Sequence, residues 1–482
     1  MLQQTKTWLK RAVILFAAVV VTLLIIRIAV TEQGPSLEPW HTYVPDEFSE
    51  SEINTADWTS WMQRENQLFA DVKTNVTDKL ADDQPETFNR YAAKSPVYPG
   101  SFAHDWNRSY ILLPQGQPRG AVVLLHGLTD SPYSLRHFAQ HYQQQGFVAV
   151  AIRLPGHGTV PGALTRVEWE AWMAATRLAV REARRLAPAD TPLHLMGFSN
   201  GGALALKYAL DALSDPQLPA PQRLVLISPM IGVSGYARYA GLAGLPSLLP
   251  AFARSAWLNI LPEFNPFKYN SFPVKAARQT WLLTRALQKE IIDDSRDNKL
   301  QHLPPVLTFQ SVADATVSTP AVINALYNQL PANGSELVLF DVNQSLQLSP
   351  LMRSSAQHAS EHLLPAPPRR YTTTLITSTS PTNNAAVARR TLAGSNSTEI
   401  QPLGIDYPAD IYSLSHVALP FPFSDSLYGR YPDQPNEYGV SFGRLTPRGE
   451  RSVLIVSLDM LMRISSNPFW PWMQQRVDET LH

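Results

Sequence analysis

Cysteine is absent from the 482 residues. That removes disulfides, thiolate nucleophiles and Cys-ligated zinc or iron–sulfur sites together. It leaves the compartment open, because a chain without thiols suits either redox environment. Net charge is absent too: 40 Lys and Arg balance 40 Asp and Glu, which excludes a globally basic nucleic-acid binder and a polyanionic tail. Glycine is scarce at 23 while proline reaches 40, against usual shares of about 7% and 5%. Loops stiffened by proline follow, rather than glycine linkers. Hydrophobic residues at 44% and charged residues at 17% fit a globular chain and not a disordered one.

The charge balance conceals an asymmetry. Residues 1–30 carry Lys6, Lys10, Arg11 and Arg27 and no acid, so the remainder is acidic by four. Residues 12–30 are almost wholly apolar and would span about 28 Å as a helix, against a hydrocarbon core of about 30 Å. An uncleaved membrane anchor is expected there. Its basic amino-terminal flank puts that end in the cytoplasm and the rest of the chain on the extracytoplasmic, periplasmic side. A cleaved signal peptide is the alternative, although no small-x-small site follows the run. The lead-in over 31–108 is acidic, with 11 acids and four bases between residues 41 and 90. Trp58, Trp61, Met62, Leu68, Phe69, Val72 and Val76 recur at helical steps, predicting a helix from near Asp57 with a solvated acidic face.

From residue 109 to the end the pattern alternates. Apolar runs at Tyr110–Leu113, Ala121–Leu125, Val148–Ile152, Leu193–Met196, Leu224–Ile227, Val306–Phe309 and Leu337–Phe340 read as strands. Helical patterns at Tyr133–Gln144, Arg166–Leu186, Gly202–Leu213 and Pro320–Leu330 lie between them. The fold class is α/β, a mostly parallel sheet with helices on both faces, whose sites lie at the carboxyl ends of strands. Two insertions interrupt it. Residues 230–300 are helical and aromatic-rich (Tyr236, Tyr239, Phe252, Trp257, Phe264, Phe267, Tyr269, Trp281) and read as a lid. Residues 343–410 include Thr372–Thr382, either half of a hairpin with Ala388–Ile400 or a loop.

The strand ends carry polar chemistry. Gly197-Phe198-Ser199-Asn200-Gly201 is G-x-S-x-G between a strand and a helix. A nucleophilic serine on so tight a turn needs small neighbours, and the helix amino terminus brings N–H groups toward a developing oxyanion. A serine also needs a base and an acid to orient it. Asp314 follows a strand in Ser-Val-Ala-Asp-Ala-Thr-Val; Asp341, Asp294 and Asp297 are rivals. His416 lies late, in a loop entering proline-rich sequence; His358 and His362 are alternatives, four apart on a predicted exposed helix. That pair lacks the further ligands a metal would need, and neither metal nor cofactor is expected. His126 and His157 read as structural hydrogen-bonders and Asp130 as a loop stabiliser.

The order Ser199, Asp314, His416, with His126-Gly127 and Gly156-His157-Gly158, resembles the α/β-hydrolase fold, most closely its monoacylglycerol lipase, lysophospholipase and bacterial carboxylesterase branch. The resemblance implies an oxyanion hole from the backbone N–H groups of Leu128 and Asn200, and a lid shaping an acyl pocket. It implies hydrolysis of a small acyl ester through an acyl-enzyme, with the lipid membrane as partner of residues 12–30 and no nucleic acid. A thioesterase or proline-directed aminopeptidase of the same fold, or a non-catalytic membrane-tethered binding protein, remain open. The segment between acid and base is longer than this family usually has.

Overall fold

A computed structural model describes residues 2–80, 88–233, 243–445 and 462–481. Tyr236 and Tyr239 of the expected lid lie outside the described residues. The first helix, α1, runs Leu2–Glu32 with its apolar side chains, among them Val13, Phe16, Leu23 and Ile25, exposed along its length. It is long and apolar enough to cross a membrane.

The lead-in helix α2 spans Trp58–Asn75, and Asp57 caps it by accepting from Ser60 N at 2.8 Å. Trp61, Glu65, Leu68 and Val72 face inward at helical spacing. The sequence predicts a solvated acidic face, but Glu65 of this helix turns inward and, with Glu47 ahead of it, satisfies the buried Arg153 (Arg153 Nε to Glu65 Oε2 3.0 Å, Nη1 to Glu47 Oε1 2.7 Å).

The strands are β1 Tyr110–Leu112, β2 Gly120–Leu125, β3 Phe147–Ile152, β4 Leu193–Phe198, β5 Arg223–Ile227, β6 Trp257–Asn259, β7 Phe272–Pro273, β8 Val306–Ser311, β9 Glu336–Phe340, β10 Thr372–Ser380, β11 Asn383–Thr391 and β12 Thr398–Asp406. Apart from the β6–β7 ribbon they form a ten-stranded sheet in the order β1-β3-β2-β4-β5-β8-β9-β10-β11-β12. Pairing is parallel from β3 to β10 and antiparallel at both edges. Along β2, Ala121, Val123 and Leu125 enter one hydrophobic core and Val122 and Leu124 the other, as a sheet covered on both faces requires. Helices α3 (Arg136–Gln144), α4 (Trp169–Leu186), α5 (Asn200–Ser214), α6 (Val274–Arg296) and α7 (Trp470–Asp478) provide the cover. Phe138 of α3 and Met473 of α7 join one core; Trp172 of α4, Leu204 of α5 and Leu283 of α6 join the other.

Two expectations change. Pro320–Leu330 is not one α-helix but three short helical pieces, Thr319–Ala321, the π-helical Val322–Leu326 and the 3₁₀ Tyr327–Gln329, and Tyr327 Oη donates to Glu336 O at 2.6 Å. The alternatives at Thr372 resolve in favour of a hairpin: β10 adds parallel to β9, and β11 and β12 follow antiparallel. The turn falls at Pro381-Thr382, so the pairing runs to Thr391 and a third strand takes residues to Asp406. The 343–410 segment thus widens the sheet.

Candidate active site

Ser199 stands between β4 and α5 at φ 54°, ψ −114°. Positive φ in a non-glycine residue is strained, and here the surroundings enforce it. Ser199 N donates to Ile227 O at 2.9 Å, and Ser199 O accepts from Met230 N at 2.9 Å. A Cβ on Gly201 would come within 1.9 Å of Leu125 O, and one on Gly197 within 2.2 Å of Gly201 O. Both glycines are therefore demanded by contact between helix, strand and turn.

Asp314 follows β8, and its side chain is wholly buried. Oδ1 accepts from Thr316 N at 2.8 Å and Val317 N at 3.0 Å. Oδ2 accepts from Gln310 Nε2 at 3.1 Å and lies 2.9 Å from His416 Nδ1. Burial alone would raise this carboxyl; the imidazole and the two N–H groups outweigh it and hold the carboxyl below its ordinary value. Asp341 pairs instead with Thr377 (3.1 Å) and Asp294 with Lys299 (3.5 Å), Asp297 ends α6, and none of the three meets His416. His358 and His362 line a separate pocket with Ser354 and Leu363, on two short turns where one exposed helix was expected.

The chain reaches His416 by folding back from β12 across the ends of β8 and β9. Tyr407 Oη donates to Asp341 O (2.8 Å), Asn343 N to Tyr412 O (2.8 Å) and Ser311 Oγ to Leu414 O (2.8 Å). The Phe198 ring packs 5.1 Å from the imidazole. Ser199 and His416 line one cavity of about 590 Å³, without a hydrogen bond closed between them, a looseness common before substrate arrives.

Leu128 lines that cavity at the turn after β2, beside Thr129 at φ 62°. The N–H groups of Leu128 and Asn200 donate to no acceptor among the described residues. The Asn200 N–H opens α5, where the helix dipole adds partial positive charge. His126 donates from Nδ1 to Gly127 O (2.9 Å) and accepts at Nε2 from Leu154 N (3.0 Å), tying two strand-end loops together. Burial pushes its pKa well below the usual value. His157 is pushed by burial to about 3, and its Nδ1 bonds Pro155 O at 3.1 Å.

The cavity walls include Met230, Val233, Leu258 and Phe272, with Asp130, Lys268 and Arg463 among them. Burial lifts Asp130 to about 6, against the pull of Lys268, and lowers Lys268. Lys268 was not singled out in the sequence, where one lysine in an aromatic stretch gives no signal. Tyr269 N donates to Thr129 O at 2.8 Å, and that bond holds the backbone next to Lys268 against the turn after β2.

Residues 116–342 match the family model described as Hydrolase_4, serine aminopeptidase, S33. A thermostable monoacylglycerol lipase of Bacillus sp. (strain H-257) is 31% identical over 88 residues, 18% of this chain and 34% of that protein. The chain thus spans about a third of that relative's length. A carboxylesterase of Bacillus subtilis (strain 168) is 21% identical over 221 residues, 46% of this chain and 82% of its own. A solved monoacylglycerol lipase of Paleococcus ferrophilus aligns at TM-score 0.36 and 20% identity, covering 48% of this chain and 87% of that one. The fold is that of an α/β-hydrolase. Residues 116–342, just under half of the chain, are similar to the Hydrolase_4 family, and the lipase and esterase relatives align over part of the same region.

Proposed function

We propose that the protein is a serine hydrolase of carboxylic esters, acting on acylglycerol-type or lysophospholipid-type substrates. One observation carries this reading: the Asp314–His416 hydrogen bond of 2.9 Å opens onto the cavity that Ser199 also lines. Ser199 Oγ attacks the ester carbonyl carbon and its proton passes to His416 Nε2. Asp314, bonded at Nδ1, holds the ring in that tautomer and steadies the imidazolium. The N–H groups of Leu128 and Asn200 receive the oxyanion, each worth about 2.7–4 kcal/mol of barrier. Collapse breaks the bond to the alcohol, which leaves with the proton from His416. Water then attacks the acyl-enzyme, gives a proton to His416, and releases the acid as Ser199 regains its hydrogen. No step calls for a cofactor.

The family name raises an aminopeptidase as a second reading. A clamp for a substrate amino group needs an unaccompanied carboxylate in the cavity. Among the described lining residues the carboxylate is Asp130, and Lys268 and Arg463 accompany it; this favours the ester.

Residues 12–30 serve as a single-pass anchor with the catalytic domain on the extracytoplasmic side, residues 31–108 as a lead-in and 230–300 as a lid within the domain from residue 109. Support comes from the exposed apolar α1 and its docking: Arg254 Nη1 donates to Glu32 O at 2.7 Å and Arg27 to Trp257 O. A fluorophosphonate probe tests the chemistry. Covalent labelling lost in Ser199→Ala is expected; equal labelling or ester turnover by that variant refutes the assignment. Sedimentation with membranes, lost when residues 2–32 are removed, tests the anchor.

A further inference from the structure

Among the described residues, the charged side chains of the cavity are out of balance. Lys268 lines it and, among the described residues, has neither a hydrogen bond nor an ion pair within reach. Its charge interacts with Asp130, and Arg463 repels it. Arg463 lines the same cavity and is tied to Thr316 Oγ1 at 3.2 Å. Asp130 Oδ1 accepts from Ser131 N at 2.9 Å. Among the described residues two cations thus line the space with one carboxylate; Lys268 is half-buried beside the apolar walls and Arg463 is exposed. Holding like charges together in such a place costs free energy that a bound anion returns. A neutral acyl ester would leave Lys268 desolvated and unanswered.

We propose that Lys268, with Arg463, receives an anionic group carried by the substrate, so that the preferred esters are anionic amphiphiles rather than neutral ones. The inference rests on the ester-hydrolase reading above and adds a specificity determinant to it. The bond from Tyr269 N to Thr129 O, 2.8 Å, holds the backbone next to Lys268 against the turn after β2. The anion therefore sits close to the scissile bond and orients it, and charge steering adds to the on-rate.

The test compares matched pairs by kcat/KM on the full chain. One pair varies the alcohol, monodecanoylglycerol phosphate against monodecanoylglycerol. The other varies the acyl chain, monoethyl butanedioate against ethyl butanoate. At least about tenfold preference for the anionic member of one pair is expected, weakened at about 0.5 M salt, and the pair that shows it tells which side of the ester carries the charge. In Lys268→Ala and Arg463→Ala that ratio falls about tenfold, in Lys268→Glu it inverts, and in Lys268→Arg it is largely restored. Equal or better turnover of the neutral member in both pairs overturns the inference, with the wild-type protein alone. So does a ratio unmoved by Lys268→Glu. Hydrolysis of none of the four esters by labelled, folded protein overturns the ester reading and this inference with it, an outcome separable from loss of preference alone.

Discussion

Arg153 Nε lies 3.0 Å from Glu65 Oε2, and this pair fastens the end of β3 to the lead-in helix. Both side chains are buried, at 1% and 0% exposure, and Glu65 also accepts from Ser109 N and Oγ at 2.9 and 2.8 Å. Burial pushes the Glu65 carboxyl upward, with Arg153 and Ser109 pulling it back. The lead-in is thereby part of the catalytic fold's foundation.

Removing one partner strands the other. Glu65→Ala is expected to cost about 3–5 kcal/mol, because it leaves a guanidinium in the core short of a partner. Urea unfolding measures this. A loss under about 1 kcal/mol would show that Glu47 alone satisfies Arg153.

Asp314→Asn should preserve the fold and lower ester turnover about 10⁴-fold, since an amide favours the wrong imidazole tautomer. Circular dichroism checks the first half and steady-state kinetics the second. Asp341→Asn, which alters a carboxyl bonded to Thr377 and not to His416, serves as the contrast; a comparable loss of turnover there would reassign the acid.

Gly201→Ala places a methyl within 1.9 Å of Leu125 O, a backbone atom that cannot turn aside. A cost of about 3 kcal/mol or more is expected, seen as insoluble protein or a depressed Tm. Normal yield and melting would mean that α5 can withdraw from β2.

Acid should unfold the protein in a defined direction. Burial holds His41 near 4 and His157 and His194 near 3. The unfolded chain takes up these protons near pH 6.5, so it binds more protons than the native state below that pH. Stability is therefore whole above about 6.5 and falls as pH drops toward 4 and 3. Each group contributes about 1.4 kcal/mol per pH unit where it is fully protonated only when unfolded, or about 4 for the three together. Asp425 adds to the loss lower down. Burial works against its charge, but Arg136 at 2.6 Å and His137 at 2.9 Å hold it far below the usual carboxylate range, so its support persists above its unfolded pKa near 3.9 and fails in strong acid. Denaturation midpoints between pH 7.5 and 4.5 that stay level would contradict this.

The sheet was legible because parallel strands buried on both faces leave continuous apolar runs, as at Ala121–Leu125 and Leu193–Met196. The serine turn was legible because Gly197 and Gly201 are irreplaceable there, and steric need leaves a mark in the sequence. Other features depend on partners distant in the chain. Nothing around Glu65 distinguishes it from its solvated neighbours, since its partner Arg153 stands 88 residues on. Lys268 gains its place from a backbone bond to Thr129. Strands β10 and β11 carry threonine, serine, asparagine and alanine in place of most aliphatics, and β12 is exposed along almost all its length. Such composition suits a loop equally well.

Asp314 and His416 meet across 102 positions, and the three added strands fall inside that interval. On the ribosome the imidazole follows the carboxylate by about 5–20 s at ordinary elongation rates. In that time the nucleophile turn and the acid can settle into the sheet while no base exists to arm the serine. Then β10 must find β9, and the following segment must thread back over β8, pairings of high sequence separation that form slowly. The edge of the sheet is thus in place before the proposed base can reach the proposed nucleophile.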